Sequence, residues 1–347
     1  MTSTRAIRIE RHGPPGVLRE REIPLAEPAP CEVQLSVQAA GVNFGDLLMR
    51  AGLYGTVPPR PYSPGFEVAG IVSRVGPGVS DWHPGDRVLA LMRHGGYARD
   101  VVVRTEQLFS YPEALTPVQA AAMPVAFLTA WVCLHRAASA RKGETVLILG
   151  AGGGVGTAAV QLALRHGLRV IGTAGTTEKR DFVTRELGAE ACFDSRADWE
   201  TDVRQRIGPR GIDVALDAVG GPATRSCRRL LAPLGRLIFY GLSEAMPRRK
   251  RDWLRVAAAW IRTPRFHPLS LVVPNLGVFG VHLLHLGSKQ PLLREAMQDV
   301  WSGVGEGNLC PVVDRTFDLD RTGAMEAHAW LHARKNLGKV VLVAGEG

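Results

Sequence analysis

Two patterns of hydrophobic and polar positions divide the chain. In the first 115 residues, short apolar runs lie between glycine and proline turns, and residues 32–37 alternate polar and apolar side chains. Such closely spaced short strands are typical of a small β-barrel or sandwich. Beyond residues 142–144, continuous apolar runs alternate with helical segments, which is the pattern of a doubly wound parallel sheet. The sequence therefore predicts an α/β protein with one β-rich domain and one doubly wound domain.

The second pattern predicts six strands and four helices. The strands are expected at residues 146–149, 170–173, 191–193, 214–216, 237–240 and 278–281. The helices are expected at residues 157–165, 179–186, 199–207 and 223–231. Thr116 followed by Pro117 predicts the start of an apolar helical run that ends at Leu134. Residues 340–343 are expected to return to the first domain as a strand, because the parallel sheet is complete without them.

A glycine turn joins the first parallel strand to a helix. Residues 147–156 read LILGAGGGVG, so the backbone can turn sharply and approach a pyrophosphate at the helix N-terminus. Ala151 occupies the first glycine position of the usual G-x-G-x-x-G pattern, and the strict fingerprint is absent. The strand–turn–helix context nevertheless favours dinucleotide binding over a plain tight turn. The predicted cofactor contacts are Gly152, Gly153, Gly154, Val155 and Gly156.

The end of the second parallel strand selects between NADH and NADPH. An NAD site places an acidic residue there, whereas this chain has Gly175 and Thr176, followed by Lys179 and Arg180. These residues suit a 2′-phosphate. Glu178 lies among them, and the alternative is that the two cations are only solvated residues of a first helical turn. NADPH is favoured and NADH remains open.

Composition and charge narrow the function classes. The 347 residues are 46% hydrophobic and 22% charged, which excludes a disordered chain and predicts two domains. The net charge of +9 comes from arginine, and it suits a dinucleotide or an acyl-CoA unless it only reflects codon usage. Nucleic acid is disfavoured because no nucleic-acid-binding module is recognisable.

Cysteine usage and apolar segments bear on the compartment. Five scattered cysteines without a CxxC pair, and a start without an apolar leader, predict a cytoplasmic protein. Residues 248–261 combine a basic cluster with an amphipathic helical pattern that could lie on an anionic membrane. An insertion helix packed on the protein is favoured over that peripheral membrane contact.

The motifs, taken in order, resemble those of the medium-chain dehydrogenase/reductase superfamily. They are residues 40–46, 52–54, 64–70, 76–79, 85–88 and 152–161. In detail they are similar to the zinc-free quinone oxidoreductase branch, with zeta-crystallin and the vesicle amine transport protein homologues; enoyl-thioester reductases are a neighbouring branch. The resemblance implies a GroES-like catalytic domain at residues 1–124 and 285–347. It also implies a six-stranded Rossmann domain at residues 125–284, with an insertion at about 244–275, and a homodimer joined along the Rossmann sheet edges.

The resemblance also implies site residues. Zinc-dependent members carry Cys and His where this chain has Asn43 and Phe66, so a site without zinc is expected. Asn43 and Tyr54 are expected to face the nicotinamide, with Tyr54 at the proton-donor position of enoyl-thioester reductases; the alternative is that Tyr54 only packs in its loop. Ser195 stands where the quinone branch often has a tyrosine over the ribose phosphate, a departure from the NADPH pattern. Further implied cofactor contacts are Thr129, Tyr240, Gly241, Phe279 and Asn336.

These features favour one reaction class. Without a metal, alcohol dehydrogenation lacks a Lewis acid, whereas a conjugated acceptor spreads the charge that hydride brings. We therefore expect an NADPH-dependent reductase of a quinone or of the C=C bond of an α,β-unsaturated carbonyl. The first alternative is an enoyl-CoA reductase that makes a saturated acyl-CoA. The second is a non-catalytic binder of membranes or nucleic acid on the same fold.

Overall fold

The computed structural model describes residues 2–245 and 261–345. They form two compact units. Unit 1 comprises Met1–Val125, Gly287–Trp301 and Pro311–Gly347, and unit 2 comprises Ala126–Leu286 and Ser302–Cys310. The basic amphipathic segment, apart from Ile261, lies outside the described residues. Within the described part of the chain, no helix combines the length and apolar character needed to cross a membrane.

The elements of the described residues are numbered in chain order. The strands are β1 Ser3–Ile9, β2 Leu18–Pro24, β3 Glu32–Val42, β4 Glu67–Val75, β5 Arg87–Leu91, β6 Asp100–Arg104, β7 Leu108–Ser110, β8 Thr145–Leu149, β9 Arg169–Ala174, β10 Ala191–Asp194, β11 Ile212–Asp217, β12 Leu231–Phe239, β13 Gly277–Gly280, β14 Val313–Asp318 and β15 Lys339–Val343. The helices are α1 Phe44–Ala51, α2 Pro117–Ala121, α3 Pro124–Trp131, α4 Gly154–Arg165, α5 Thr177–Asp181, α6 Trp199–Ile207, α7 Pro222–Leu230, α8 Leu269–Val272, α9 Gln290–Gly305 and α10 Arg321–His332.

Unit 1 is built on a seven-stranded sheet. Its order is β14-β15-β3-β4-β5-β7, with β6 paired to β3, while β1 and β2 form a separate antiparallel ribbon. Val33, Leu35 and Val37 of β3 are buried, as the alternating pattern predicts. β15 pairs antiparallel with β3, which confirms that the C-terminal strand returns to this domain.

Unit 2 contains the predicted six-stranded parallel sheet. The order is β10-β9-β8-β11-β12-β13, and every neighbouring pair is parallel. β8 is buried along its whole length, and Leu147, Ile171 and Leu237 belong to the core beneath one face. The chain reverses its direction of winding between β8 and β11. This reversal is the switch point at which doubly wound sheets bind ligands.

β13 is the outer strand of this sheet among the described residues. Phe279 on β13 is 53% exposed, although its position was expected to lie along the cofactor. A short outer strand carrying an exposed aromatic side chain suits an edge that pairs with another chain. The homodimer along this edge remains a prediction.

Two details differ from the predicted organisation. The helical run that was expected from Thr116 to Leu134 is divided into α2 and α3, because Pro124 has no N–H to continue the first helix. Ser302–Cys310 belongs to unit 2, whereas the predicted division assigned all of 285–347 to the first domain. The Gln161 amide exchanges two hydrogen bonds with the Cys310 backbone, and Arg165 pairs with Glu306 at 3.0 Å. These bonds attach the segment to α4.

Candidate active site

In unit 2, the residues predicted to bind the cofactor lie mainly at the carboxyl ends of parallel strands. The glycine turn follows β8, Thr176 follows β9, Ser195 follows β10 and Tyr240 follows β12. Parallel strands present their carboxyl ends at one edge of the sheet, and α/β proteins bind ligands in the crevice at that edge. This topology brings together residues that are far apart in sequence.

The turn after β8 requires glycine for steric reasons. Gly150 has a φ of +69°, and a Cβ on Gly156 would collide with the carbonyl oxygen of Gly150. Gly153 is the N-cap of α4 and has no side chain to bond the N–H groups of the first turn. Those N–H groups and the helix dipole suit a pyrophosphate. The turn therefore fits a dinucleotide even though Ala151 departs from the strict fingerprint.

Lys179 lies beside the glycine turn. A Cβ placed on Gly152 would come within 3.1–3.3 Å of the aliphatic carbons of Lys179, so the lysine stem covers this glycine. The Thr176 hydroxyl accepts a bond from the Lys179 backbone N–H at 3.3 Å and caps α5. Ser195 is the nearest side chain to Gly175, with Oγ 3.6 Å from where a Cβ would stand. Lys179, Thr176, Gly175 and Ser195 thus belong to one strand-end region.

Arg180 and Arg196 share one carboxylate. Asp194, the last residue of β10, pairs with Arg180 at 3.0 Å and with Arg196 at 3.2 Å. The hydrogen bonds from Arg196 hold the pKa of Asp194 at about 2, so this carboxylate is ionised and neutralised by its partners. Arg180, which suits a phosphate by its position in the sequence, thus forms an ion pair with Asp194, and its role toward a phosphate remains a prediction.

Asp217 is a polar residue that the sequence analysis did not select. It is buried at the end of β11, where its carboxylate accepts bonds from Val219 N (2.7 Å), Gly220 N (3.0 Å) and Thr224 Oγ1 (2.6 Å). The backbone N–H of Tyr240 donates to the Asp217 carbonyl at 3.1 Å. Asp217 therefore shapes the loop at the switch point. The signal in the sequence is an acidic residue directly after the apolar run predicted as a strand at residues 214–216.

In unit 1, Asn43 is held by a buried ion pair. Lys339 Nζ donates to Asn43 Oδ1 at 2.7 Å and to Glu67 Oε1 at 2.6 Å. Asn43 Nδ2 donates to the same Glu67 oxygen at 2.7 Å. An ammonium group can only donate, so it fixes the amide with its oxygen towards Lys339. The amide has two N–H bonds, and the one not directed at Glu67 has no hydrogen-bond partner among the described residues.

Glu67 is saturated with donors. It is fully buried, and its second oxygen accepts from Val125 N at 2.7 Å. A Cβ on Gly41 would collide with the carboxylate, so glycine at this position makes room for it. In the sequence, Gly41 and Glu67 stand out only as parts of the motifs at residues 40–46 and 64–70. The predicted site residues include neither Glu67 nor Lys339.

Tyr54 packs beside the start of α1. Its ring centroid is 5.4 Å from that of Phe66, and a Cβ on Gly45 would lie 3.3 Å from the Tyr54 ring. Burial, and then the negative charge of Asp46, raise the pKa of Tyr54 above its ordinary value. The phenol is therefore protonated at neutral pH and can donate a hydrogen bond or a proton.

The other predicted cofactor contacts lie on different elements of the two units. Asn336 is buried in unit 1, and its Nδ2 donates to the Gly338 carbonyl at 2.7 Å. Thr129 is buried on α3 in unit 2. Gly241 follows β12, and a Cβ there would lie 3.0 Å from the Ala218 carbonyl oxygen. Their roles toward a cofactor remain predictions.

The residues at the zinc-ligand positions of zinc-dependent relatives do not fit a zinc ion. Asn43 offers an amide whose oxygen already accepts from the Lys339 ammonium, and Phe66 offers a hydrocarbon ring. Zinc in proteins is bound by thiolate, imidazole and carboxylate groups. Neither Asn43 nor Phe66 offers a group of these kinds.

Two family models match the chain. Residues 29–113 match the alcohol dehydrogenase GroES-like domain, and residues 154–282 match the zinc-binding dehydrogenase model. The first match lies in unit 1 and the second in unit 2.

Curated relatives extend over most of the chain. The synaptic vesicle membrane protein VAT-1 homolog of Rattus norvegicus is 35% identical over 319 residues, which cover 92% of this chain and 78% of the relative. Quinone oxidoreductase of the same organism is 31% identical over 342 residues, with coverage of 98% and 97%.

Solved structures are similar throughout. Escherichia coli quinone oxidoreductase, whose crystal structure contains NADPH, matches with a TM-score of 0.86 and 28% identity over 98% of this chain and 99% of its own. The CurK enoyl reductase matches with a TM-score of 0.83 and 27% identity over the same shares. These findings confirm the resemblance that the motifs carry. The chain belongs to the medium-chain dehydrogenase/reductase superfamily, in its quinone oxidoreductase-like branch.

Proposed function

We propose that this protein is an NADPH-dependent reductase that works without a metal and delivers hydride to a conjugated acceptor, either a quinone or the C=C bond of an α,β-unsaturated carbonyl. The observation that carries the proposal is the Asn43 amide. Lys339 and Glu67 lock it in one orientation, so that it offers a fixed neutral N–H donor in place of a metal ligand. Quinone oxidoreductase relatives support the same reaction class.

Each unit has a separate task in this proposal. The glycine turn after β8 and the N-terminus of α4 bind the pyrophosphate of NADPH, and Lys179 with Thr176 and Ser195 bind its ribose phosphate. The bound nucleotide supplies the hydride. In unit 1, Asn43 and Tyr54 donate hydrogen bonds to the oxygen on which negative charge develops.

The choice of acceptor follows from the strength of these donors. Reduction of a simple ketone places a full negative charge on one oxygen, which a Lewis acid stabilises well. Hydride addition to the β-carbon of a conjugated carbonyl gives an enolate, whose charge is shared between oxygen and carbon. Two neutral donors then suffice. Tyr54 retains its proton at neutral pH and can pass it to the enolate.

The test is a screen of NADPH oxidation with quinones, enones and enoyl-CoAs, in which absorbance and reduced product are both measured. We expect turnover with at least one class, an intact carbonyl in the product of an enone, and no loss of rate after chelator treatment. The purified protein is expected to contain no stoichiometric zinc. A chelator-sensitive rate, or reduction of simple ketones with no turnover of conjugated acceptors, contradicts the proposal.

An enoyl-CoA is the second candidate substrate. The similarity to the CurK enoyl reductase and the net charge of +9 favour it, because the phosphates of CoA are polyanionic. Comparison of kcat/KM for an enoyl-CoA with that for the enoyl thioester of N-acetylcysteamine, which lacks phosphates, separates recognition of CoA from recognition of the enoyl group.

NADPH is expected to bind more tightly than NADH, and Lys179→Ala is expected to remove most of the difference. Loss of one charge-assisted phosphate contact typically costs about 1.5–3 kcal/mol, or roughly 10- to 150-fold in affinity. Calorimetric titration of both nucleotides measures the effect. Lys142→Ala is the matched control, because Lys142 lies just before the amino end of β8, whereas the proposed nucleotide contacts lie at the carboxyl ends of the strands. Equal affinities of the unmodified protein for both nucleotides would reject the assignment.

A further inference from the structure

Four buried polar side chains in unit 1, those of Arg50, His328, Tyr97 and Asp46, form a continuous hydrogen-bond relay. Arg50 Nη1 lies 3.1 Å from His328 Nδ1, His328 Nε2 lies 3.3 Å from the Tyr97 hydroxyl, and that hydroxyl donates to Asp46 Oδ2 at 3.3 Å. All four residues are at most 2% exposed. They come from α1, α10 and the loop before β6. Burying four polar groups together is costly unless each has a hydrogen-bond partner, and here each group finds its partner within the set.

The chain of hydrogen bonds has a single direction. A guanidinium group only donates, so His328 Nδ1 must accept from Arg50, and the ring proton must be on Nε2. His328 then donates to the oxygen of Tyr97, and Tyr97 donates to Asp46. Burial and the adjacent Arg50 lower the pKa of His328 well below its usual range, which agrees with a neutral ring. Because the Arg50 guanidinium cannot accept a proton, the relay does not conduct protons. It only fixes the direction in which each hydrogen bond is donated.

The relay ends at the carboxylate of Asp46, which accepts a hydrogen bond from the backbone at Asn43. Asp46 Oδ2 also accepts from the backbone N–H of Asn43 at 2.8 Å, and Oδ1 accepts from the backbone N–H of Gly65 at 2.8 Å. Both oxygens thus act as acceptors. Asp46 connects the residue that carries the amide donor with the segment leading into Phe66.

We propose that Arg50, His328 and Tyr97 are positioning residues for the reduction, and that they act by keeping Asp46 a pure hydrogen-bond acceptor, which fixes the backbone at Asn43. This inference rests on the proposed function for its catalytic readout. None of the three residues needs to touch substrate. They act through Asp46, the N-terminal turn of α1 and the Asn43 side chain.

The setting of Asp46 explains why such support is needed. Burial raises the pKa of Asp46 to about 7, while the backbone donors Asn43 and Gly65 oppose the rise. The charged and titratable groups around it are Glu67, Lys339, Tyr54, Tyr97, Arg50 and His328. A protonated Asp46 Oδ2 would present a hydrogen to two groups that both donate. The relay adds one donor to Asp46, the Tyr97 hydroxyl, in favour of the ionised acceptor form.

The direction of the pH effect follows. If ionised Asp46 is the active form, the rate falls as the pH falls through its pKa. Loss of the relay raises that pKa further, so the acid limb of the rate profile moves to higher pH. The protonated carboxyl also has its own infrared C=O band, which is assigned by its absence in Asp46→Asn.

The experiment compares His328→Leu with His328→Gln, using His332→Leu on the same helix as the control. Leucine fills space but breaks the relay, whereas glutamine keeps an acceptor oxygen and a donor NH₂ group. With an enone at neutral pH, we expect His328→Leu to lower kcat about tenfold and to move the acid limb upward, with the KM for NADPH nearly unchanged. His328→Gln is expected to restore most of kcat and the position of the limb.

The infrared titration separates this inference from the proposed function, because it needs no turnover. We expect the Asp46 band to appear at higher pH in His328→Leu than in the unmodified protein or in His328→Gln. If His328→Leu fails to fold, Tyr97→Phe removes a single oxygen and gives the same comparison. Equal band midpoints in the relay variants and the unmodified protein would overturn the inference even if the enzyme is active. If the unmodified protein reduces no acceptor, the proposed reaction fails and the band midpoints still decide on the relay.

Discussion

Lys339→Met is expected to lower the free energy of unfolding by about 3–5 kcal/mol, the usual effect of removing one partner of a buried ion pair. Lys339 is 4% exposed, Glu67 is fully buried, and Nζ and Oε1 are 2.6 Å apart. Methionine replaces the stem of the lysine but leaves the Glu67 carboxylate as an unpaired charge in the core. Denaturant unfolding at neutral pH, followed by circular dichroism, measures the loss.

Two comparisons test the cause of that loss. Lys335→Met is the matched control, because Lys335 is exposed and interacts with the ring of Trp330, 5.1 Å from its centroid; its removal is expected to cost less than about 1 kcal/mol. The deficit of Lys339→Met is expected to shrink when Glu67→Gln is added to it, because the double variant leaves no unpaired charge in the core. If both lysine variants are equally stable, the ion pair does not stabilise the Asn43 cluster.

The elements of unit 2 are predictable because local patterns define them. α6 has the predicted bounds, and α4, α5 and α7 begin one to three residues before the predicted starts. A buried parallel strand is a continuous apolar run, and the following helix has a separate 3.6-residue period. Neither feature depends on distant parts of the chain.

Two amphipathic helices show where pattern reading falls short. The predicted elements do not include α9 or α10, although Asp320 caps α10 by accepting from Gly323 N at 2.7 Å. Each helix presents only part of its surface to the core, and α9 continues from unit 1 into unit 2. The cap was a usable local signal for α10.

The candidate site is less predictable, because tertiary pairing creates it. Asn43 could be selected from a motif, but its partners Glu67 and Lys339 lie 24 and 296 positions away. They meet only because β3 pairs with both β4 and β15. The relay from Arg50 to Asp46 likewise joins residues 278 positions apart. The spacing of residues along the sequence does not predict contacts between residues that are so far apart.

Tyr54→Phe is expected to lower kcat with an α,β-unsaturated carbonyl by roughly 10²–10⁴-fold, the usual effect of a positioned acid. Burial and the charge of Asp46 keep the phenol protonated, so it can supply the proton that the enolate needs. Phenylalanine preserves the ring contact with Phe66 and removes only the hydroxyl. NADPH affinity is expected to change little, because the proposed nucleotide contacts of Lys179 and the glycine turn belong to unit 2. Steady-state rates and calorimetry give the two quantities.

The size of the loss should depend on the acceptor. A quinone reduced by hydride has oxygens that take protons from water, so Tyr54→Phe should slow it far less than an enone or enoyl thioester. Tyr111→Phe is the control, since the buried Tyr111 hydroxyl has no hydrogen-bond partner among the described residues. If Tyr54→Phe and Tyr111→Phe reduce an enoyl thioester at the unmodified rate, Tyr54 is not the proton donor. Asn43, whose amide is held by Lys339 and Glu67, would then remain as the protein donor to the enolate oxygen, and the proton would come from solvent.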